Sequence, residues 1–149
     1  DIIGYLDSNE LNILEINSNL NNEITKSDIE NKVIHFESIP HIIIIEIWED
    51  YSHNKKNTYT LNIKGKNITY NLDSIVIRTT NGEHFASTIT CNKTELVFDG
   101  ASKKKINNFN WKSQINVNKD WSFESTMYSA SEYNWNFMNG YQMMFYYRV

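Results

Sequence analysis

The sequence predicts an α+β domain that is mainly antiparallel β, with one or two short helices. Several segments alternate apolar and polar residues, which is the period of a half-buried strand. Two tight polar turns, at Lys64-Gly65-Lys66 and Asn92-Lys93, separate pairs of such segments and mark hairpins. With one proline and five glycines in 149 residues, no linker divides the chain, so residues 1–149 form a single domain. Apolar residues make up 40% and charged residues 21%, an ordinary globular balance that argues against wholesale disorder.

The elements follow in order. Leu11 to Ile16, "LNILEI", alternates and predicts a strand. In "NSNLNNEITKSDIENKV", the spacing of Leu20, Ile24 and Ile29 is compatible with a short helix. Pro40 then introduces "HIIIIEIWED", an Ile-rich run that reads as a central strand buried on both faces. "TYTLNIKGKNITYNL" reads as a hairpin with Tyr59, Leu61 and Ile63 on one face. "SIVIRTT" leads into "NGEHFASTITCNKTELVFDGAS", two strands joined at Asn92-Lys93. After Ser102 the pattern weakens to short strands and a long aromatic-rich loop, and "YQMMFYYRV" closes the chain as a strand. Of the loop's aromatics, Trp111, Trp121, Tyr128, Tyr133, Trp135 and Phe137, most are expected to pack on the sheet.

A net charge of −4 gives no reason to expect a nucleic-acid partner, and "KKK" at Lys103–Lys105 reads as solvated surface. The longest apolar run, "HIIIIEIW", is too short to span a bilayer, so no membrane association is expected. One cysteine excludes an internal disulfide framework and demands no oxidising compartment. The sequons at Asn67 and Asn92 are of the kind an Asn- and Thr-rich chain produces by chance. His35, His41 and His53 have no ligand-like spacing, so no metal site and no cofactor is expected.

Five stretches carry a resemblance when taken in order: "IPHIIIIEI" (39–47), "ITYNLDSIVI" (68–77), "GEHFAS" (82–87), "VFDGAS" (97–102) and "GYQMMFYYR" (140–148). Together they resemble the C-terminal half of the ubiquitin-specific proteases, a papain-like cysteine protease family. That family carries a "P-x-x-L-x-I-x-L" strand, a "Y-x-L-x-A-V-I" strand, a "G-H-Y-x-A" box, an "F-D-D" box and a final "A-Y-x-L-F-Y" strand. The resemblance spans about two-thirds of the chain and implies the palm-and-fingers half of a papain-like ubiquitin hydrolase fold. It implies that His84 is the general base and Asp99 its orienting acid. It implies a protein partner, either ubiquitin, a ubiquitin-like protein or the rest of a precursor. An intracellular, cytoplasmic setting goes with it, in a host cell if the protein is viral.

Strand alternation can be applied to His84 and Asp99 directly. His84, Ala86, Thr88 and Thr90 share one face; Phe85, Ser87, Ile89 and Cys91 share the other. A two-residue turn at Asn92-Lys93 pairs Cys91 with Thr94 and Ala86 with Asp99, which puts Asp99 on the His84 face as a diagonal neighbour. A three-residue turn would move Asp99 to the opposite face. Cys91, the single thiol, faces away from His84 and lies roughly 23 Å along the strand, so it is not the nucleophile and reads as a small apolar residue near the turn. No serine or threonine stands in a nucleophile-elbow context. The site is therefore incomplete, and the chain is expected to be inactive by itself.

Three positions depart from the family pattern. Glu83 stands where a glycine adjoins the histidine, Gly100 replaces the second acid of the "F-D-D" box, and Glu95 replaces an aromatic. Two readings follow. In one, the chain is the His/Asp half of a thiol hydrolase whose cysteine lies on another segment. In the other, it is a non-catalytic pseudoprotease or interaction module. The start at Asp1 and the excess of Asn, Ile and Lys suggest, for this second reading, a released piece of a larger viral or mobile-element protein acting in assembly.

Overall fold

The computed structural model describes residues 12–17, 24–48, 54–102, 104–123 and 133–149. Leu11, Leu20, His53, Lys103 and Tyr128, named above, lie outside them.

The alternating segments all form strands. β1 (Ile13–Asn17) and β2 (Ile42–Ile47) are parallel neighbours, which requires a crossover between them. α1 (Lys26–Ile34) lies in that connection. Its start is set by a capping box: the Thr25 hydroxyl accepts from the Asp28 N–H, and the Asp28 carboxylate accepts from the Thr25 N–H. Ile24 therefore precedes the helix, and Ile29 and Val33 form its buried stripe.

β3 (Thr58–Ile63) and β4 (Lys66–Arg78) make the first hairpin, with Ile63 opposite Lys66. The turn is two residues, Lys64 and Gly65, both at positive φ, as the right-handed twist of the strands favours. "SIVIR" is the second half of β4, which shifts register at Asp73. β5 (Phe85–Cys91), β6 (Thr94–Phe98) and the short β7 (Ile106–Asn108) follow as antiparallel neighbours. A 3-10 turn, Trp111–Gln114, opens the aromatic segment, and β8 (Gln142–Arg148) ends the chain.

Among the described residues the strands join one sheet in the order β1-β2-β8-β4-β5-β6-β7, with β3 on β4. β8 runs along one edge of β4 from Tyr70 to Ile77. The other edge is shared: β3 takes Lys66–Asn71 and β5 takes Ile75–Arg78. The domain is thus α+β and mainly antiparallel β. β2, expected to be central, is second from one margin, yet Ile43, Ile44, Ile45 and Ile47 are all buried.

One sheet face carries the core. Ile43, Ile45, Leu61, Leu72, Ile75, Ile77, Met144 and Tyr146 are buried beneath α1 and the aromatic segment. Trp111, Phe123, Trp135 and Phe137 are buried there, and Trp121 and Tyr133 pack against them half-buried. These rings bury large areas without any helical or strand period, which is why their segment reads as irregular in sequence. Among the described residues no helix is long and apolar enough to cross a membrane.

Candidate functional site

The β5–β6 turn fixes where the site forms. Asn92 and Lys93 both adopt positive φ (47° and 66°), a two-residue turn that pairs Cys91 with Thr94 and Ser87 with Phe98. That register carries Asp99, the residue after β6, to the face that His84 occupies just before β5. His84 Nε2 lies 2.6 Å from Asp99 Oδ1. The same oxygen accepts the Ala101 N–H at 3.0 Å, so the carboxylate is oriented by two donors. Asp99 is 4% exposed and the His84 side chain 26%, which places a buried acid behind a half-open imidazole.

The loop before His84 is held as well. The Thr79 N–H donates to the His84 carbonyl at 2.8 Å, closing the loop between β4 and β5. The Thr79 hydroxyl accepts from the His84 N–H at 3.4 Å. On the ring itself, Tyr133 stacks at 4.5 Å between centroids with planes 27° apart, and Trp135 tilts at 6.0 Å. Just before β8, Gly140 passes so close to β4 that a Cβ there would lie 2.7 Å from the Arg78 carbonyl oxygen.

Because a carboxylate can only accept, Nε2 carries the hydrogen in this pair and Nδ1 of a neutral ring holds the lone pair. Among the described residues nothing hydrogen-bonds Nδ1. A dyad so arranged can take a proton at Nδ1, while Asp99 accepts from Nε2 and stabilises the imidazolium that forms.

The other residues singled out in sequence fall outside this site. Cys91 sits at the far end of β5 and is exposed, so it is not the buried apolar residue that the sequence suggested. Ser102 is buried near Asp99, and its N–H donates to the Asp99 carbonyl, but among the described residues its hydroxyl has no hydrogen-bond partner and is not coupled to His84. Glu83 is exposed, and Glu95 is committed elsewhere, accepting the Lys112 N–H at 2.7 Å. His35 bonds the Asn31 carbonyl at the end of α1, and His41 Nδ1 accepts the Asn12 N–H, both structural roles. Among the described residues no group of three or more His, Cys, Asp or Glu could hold a metal ion.

Two side chains carry no signal in the sequence, one at this site and one away from it. Tyr133 reaches His84 from an aperiodic aromatic stretch, where nothing in the local pattern marks it. Lys55 lies in the polar run "NKKN" yet is 4% exposed, its Nζ donating to the Phe137 carbonyl at 2.7 Å. Its burial beside Ile45, Ile47, Met144 and Tyr146 lowers its pKa to about 8.

Compared with protein-family models and with curated proteins, the chain matches none.

Proposed function

We propose that this chain is the base-and-acid half of a thiol hydrolase of the ubiquitin-specific-protease type, with the palm-and-fingers architecture of that fold. The observation that carries the proposal is the His84–Asp99 pair, bonded through Nε2, with Nδ1 free of hydrogen bonds among the described residues. In papain-like chemistry that nitrogen takes the proton of a cysteine, which then attacks the carbonyl of the scissile bond. A second feature supports the same reading. The five family-like stretches, scattered from residue 39 to 148, lie on or at the ends of β2, β8, β4, β5 and β6, which are consecutive neighbours in the sheet.

The nucleophile is not among this chain's residues: Cys91 is its only thiol and lies at the wrong end of β5. His84 and Asp99 would then wait for a cysteine on another segment, and the chain alone hydrolyses nothing. The partner of this reading is ubiquitin or a ubiquitin-like protein, whose C-terminal tail would lie across His84.

One observation favours a second reading, a non-catalytic interaction module. Besides the missing thiol, Glu83 stands exposed at the approach to His84, where the family has glycine. A single titration separates the two. Amide and imidazole signals of the isolated chain are followed by NMR while ubiquitin is added, then repeated with ubiquitin lacking its last two glycines. The hydrolase reading expects His84, Gly82 and Tyr133 to shift with intact ubiquitin and not with the truncated form. Equal shifts with both forms support the module. No shift at millimolar ubiquitin removes the ubiquitin reading.

A further inference from the structure

We propose that Tyr133 is a positioning residue for His84. Its ring holds the imidazole in the one plane that sends Nε2 to Asp99 and leaves Nδ1 as the open nitrogen. An imidazole is attached through an sp³–sp² torsion whose preference is broad, so rotamer energetics alone do not fix it. At 26% exposure His84 is not locked by burial either. What lies flat on it is Tyr133, 4.5 Å away and nearly parallel.

Tyr133 is held in place by its own neighbour. The Asn134 carbonyl accepts the Thr80 N–H at 2.8 Å and the Thr80 hydroxyl at 3.2 Å, and the Asn134 N–H donates to Asn81 Oδ1 at 3.1 Å. These three bonds clamp residue 134 to the very loop that delivers His84. Behind Tyr133, Trp135 lies at 6.4 Å and itself stacks on Trp121 at 5.2 Å, so the ring rests on a packed aromatic wall. Gly82 completes the seat, with Tyr133 Cε1 in van der Waals reach of the position its Cβ would take. The Tyr133 hydroxyl has no hydrogen-bond partner among the described residues, so the ring and not the hydroxyl does the positioning. One consequence concerns approach. With Tyr133 over one ring face and Asp99 on Nε2, a reacting group must reach His84 at the Nδ1 edge.

The functional weight of this assignment rests on His84 being a base, as proposed above, but its test does not. Long-range proton–nitrogen NMR of the whole chain reports the His84 tautomer, and diethyl pyrocarbonate reports access to its free nitrogen. Wild type and Tyr133→Phe should both show a single Nε2–H tautomer and equal carbethoxylation rates. Tyr133→Leu keeps apolar bulk but removes the ring. It should show averaged tautomers and a modification rate about two- to tenfold higher, the range a lost ring–ring contact allows. Should Tyr133→Leu fold poorly, Tyr133→Met refills the space and gives the same two readouts. An unchanged tautomer and rate in the folded ring-less variant would overturn the proposal and reduce Tyr133 to packing. Neither readout needs a thiol, a tag or turnover, so this failure and that of the ubiquitin titration are distinguishable.

Discussion

His84 and Asp99 are fifteen positions apart in the chain, yet their side chains meet at 2.6 Å because two residues, Asn92 and Lys93, turn the chain between them. A hairpin register is an all-or-none matter: one residue more in the turn sends every side chain of β6 to the other face. Asp99 is buried, and among the described residues its side chain takes two donors, His84 Nε2 and the Ala101 N–H. A double-mutant cycle of His84→Gln and Asp99→Asn, read by urea unfolding, should return a coupling of about 1–3 kcal/mol, as for a hydrogen bond to a charged group. Additive effects would mean that the pair is not formed in solution.

The turn gives its own prediction. Lys93 sits at φ 66°, a conformation that costs an L-residue with a Cβ but not glycine. The equivalent place in the β3–β4 turn already holds Gly65, at φ 82°. Lys93→Gly should therefore stabilise the domain by about 0.5–1 kcal/mol, and Gly65→Ala should destabilise it by a similar amount. Thermal unfolding of the two variants reads both signs at once. If Lys93→Gly lowered the melting temperature, the left-handed geometry at residue 93 would be wrong.

These two turns also show why so much of the site was legible in the sequence. Strand alternation is local, so the sequence permits His84 and Asp99 on one face if the polar turn has two residues and forbids it if it has three; the turn length is what the structure adds. The same logic removed Cys91, which lies on the opposite face and at the opposite end of β5. What could not be read is non-local. β8 inserts between β2 and β4, and no local pattern of "YQMMFYYRV" names its neighbours. Tyr133 reaches His84 through backbone clamps at Thr80 and Asn81, which have no side-chain period to announce them. Within β4, which contains the stretch "ITYNLDSIVI", the register shift at Asp73 is equally unmarked in the sequence, because it depends on how β8 pairs with β4.

Gly140 should be the least replaceable glycine of the described fold. A Cβ there would lie 2.7 Å from the Arg78 carbonyl oxygen, 3.2 Å from Ile77 Cγ1 and 3.3 Å from the Asn136 carbonyl oxygen. Two of these are backbone atoms that cannot swing away, and the Gly140 N–H is meanwhile bonded to the Asn136 carbonyl. Relief requires β8 to move off β4, which weakens the bond from the Arg78 N–H to the Tyr141 carbonyl at the end of that ladder. Gly140→Ala should cost about 1–3 kcal/mol in chemical denaturation, the range for overpacking a filled site. Gly82→Ala meets only side-chain atoms, at 3.3 Å and beyond, and should cost less. The reverse order would contradict the close approach of β8 to β4.

Lys55 makes stability depend on pH in a direction opposite to the usual alkaline loss. Burial lowers its pKa to about 8 in the folded chain, against 10.5 for an ordinary lysine. Between those values the unfolded chain binds more protons than the folded one, so unfolding becomes harder as pH rises. Below about pH 8 both states carry the charge and the penalty is fully present; above 10.5 it is gone. The shift corresponds to about 3 kcal/mol in all, from the energy of one pKa unit. Tyr70 and Tyr141 work the other way, because burial raises each to about 12 in the folded state, so the unfolded chain loses those protons first above pH 10. Stability should thus climb from pH 8 to about 10 and fall beyond it. Urea unfolding of wild type and Lys55→Met at pH 7.5, 9, 10 and 11.5 separates the two causes. Lys55→Met removes the climb and keeps the fall. It also leaves the Phe137 carbonyl without the ammonium it now accepts from at 2.7 Å, which offsets part of the gain at pH 7.5. A wild-type curve that is flat between pH 8 and 10 would mean that Lys55 is solvated and not inserted beneath the aromatic segment.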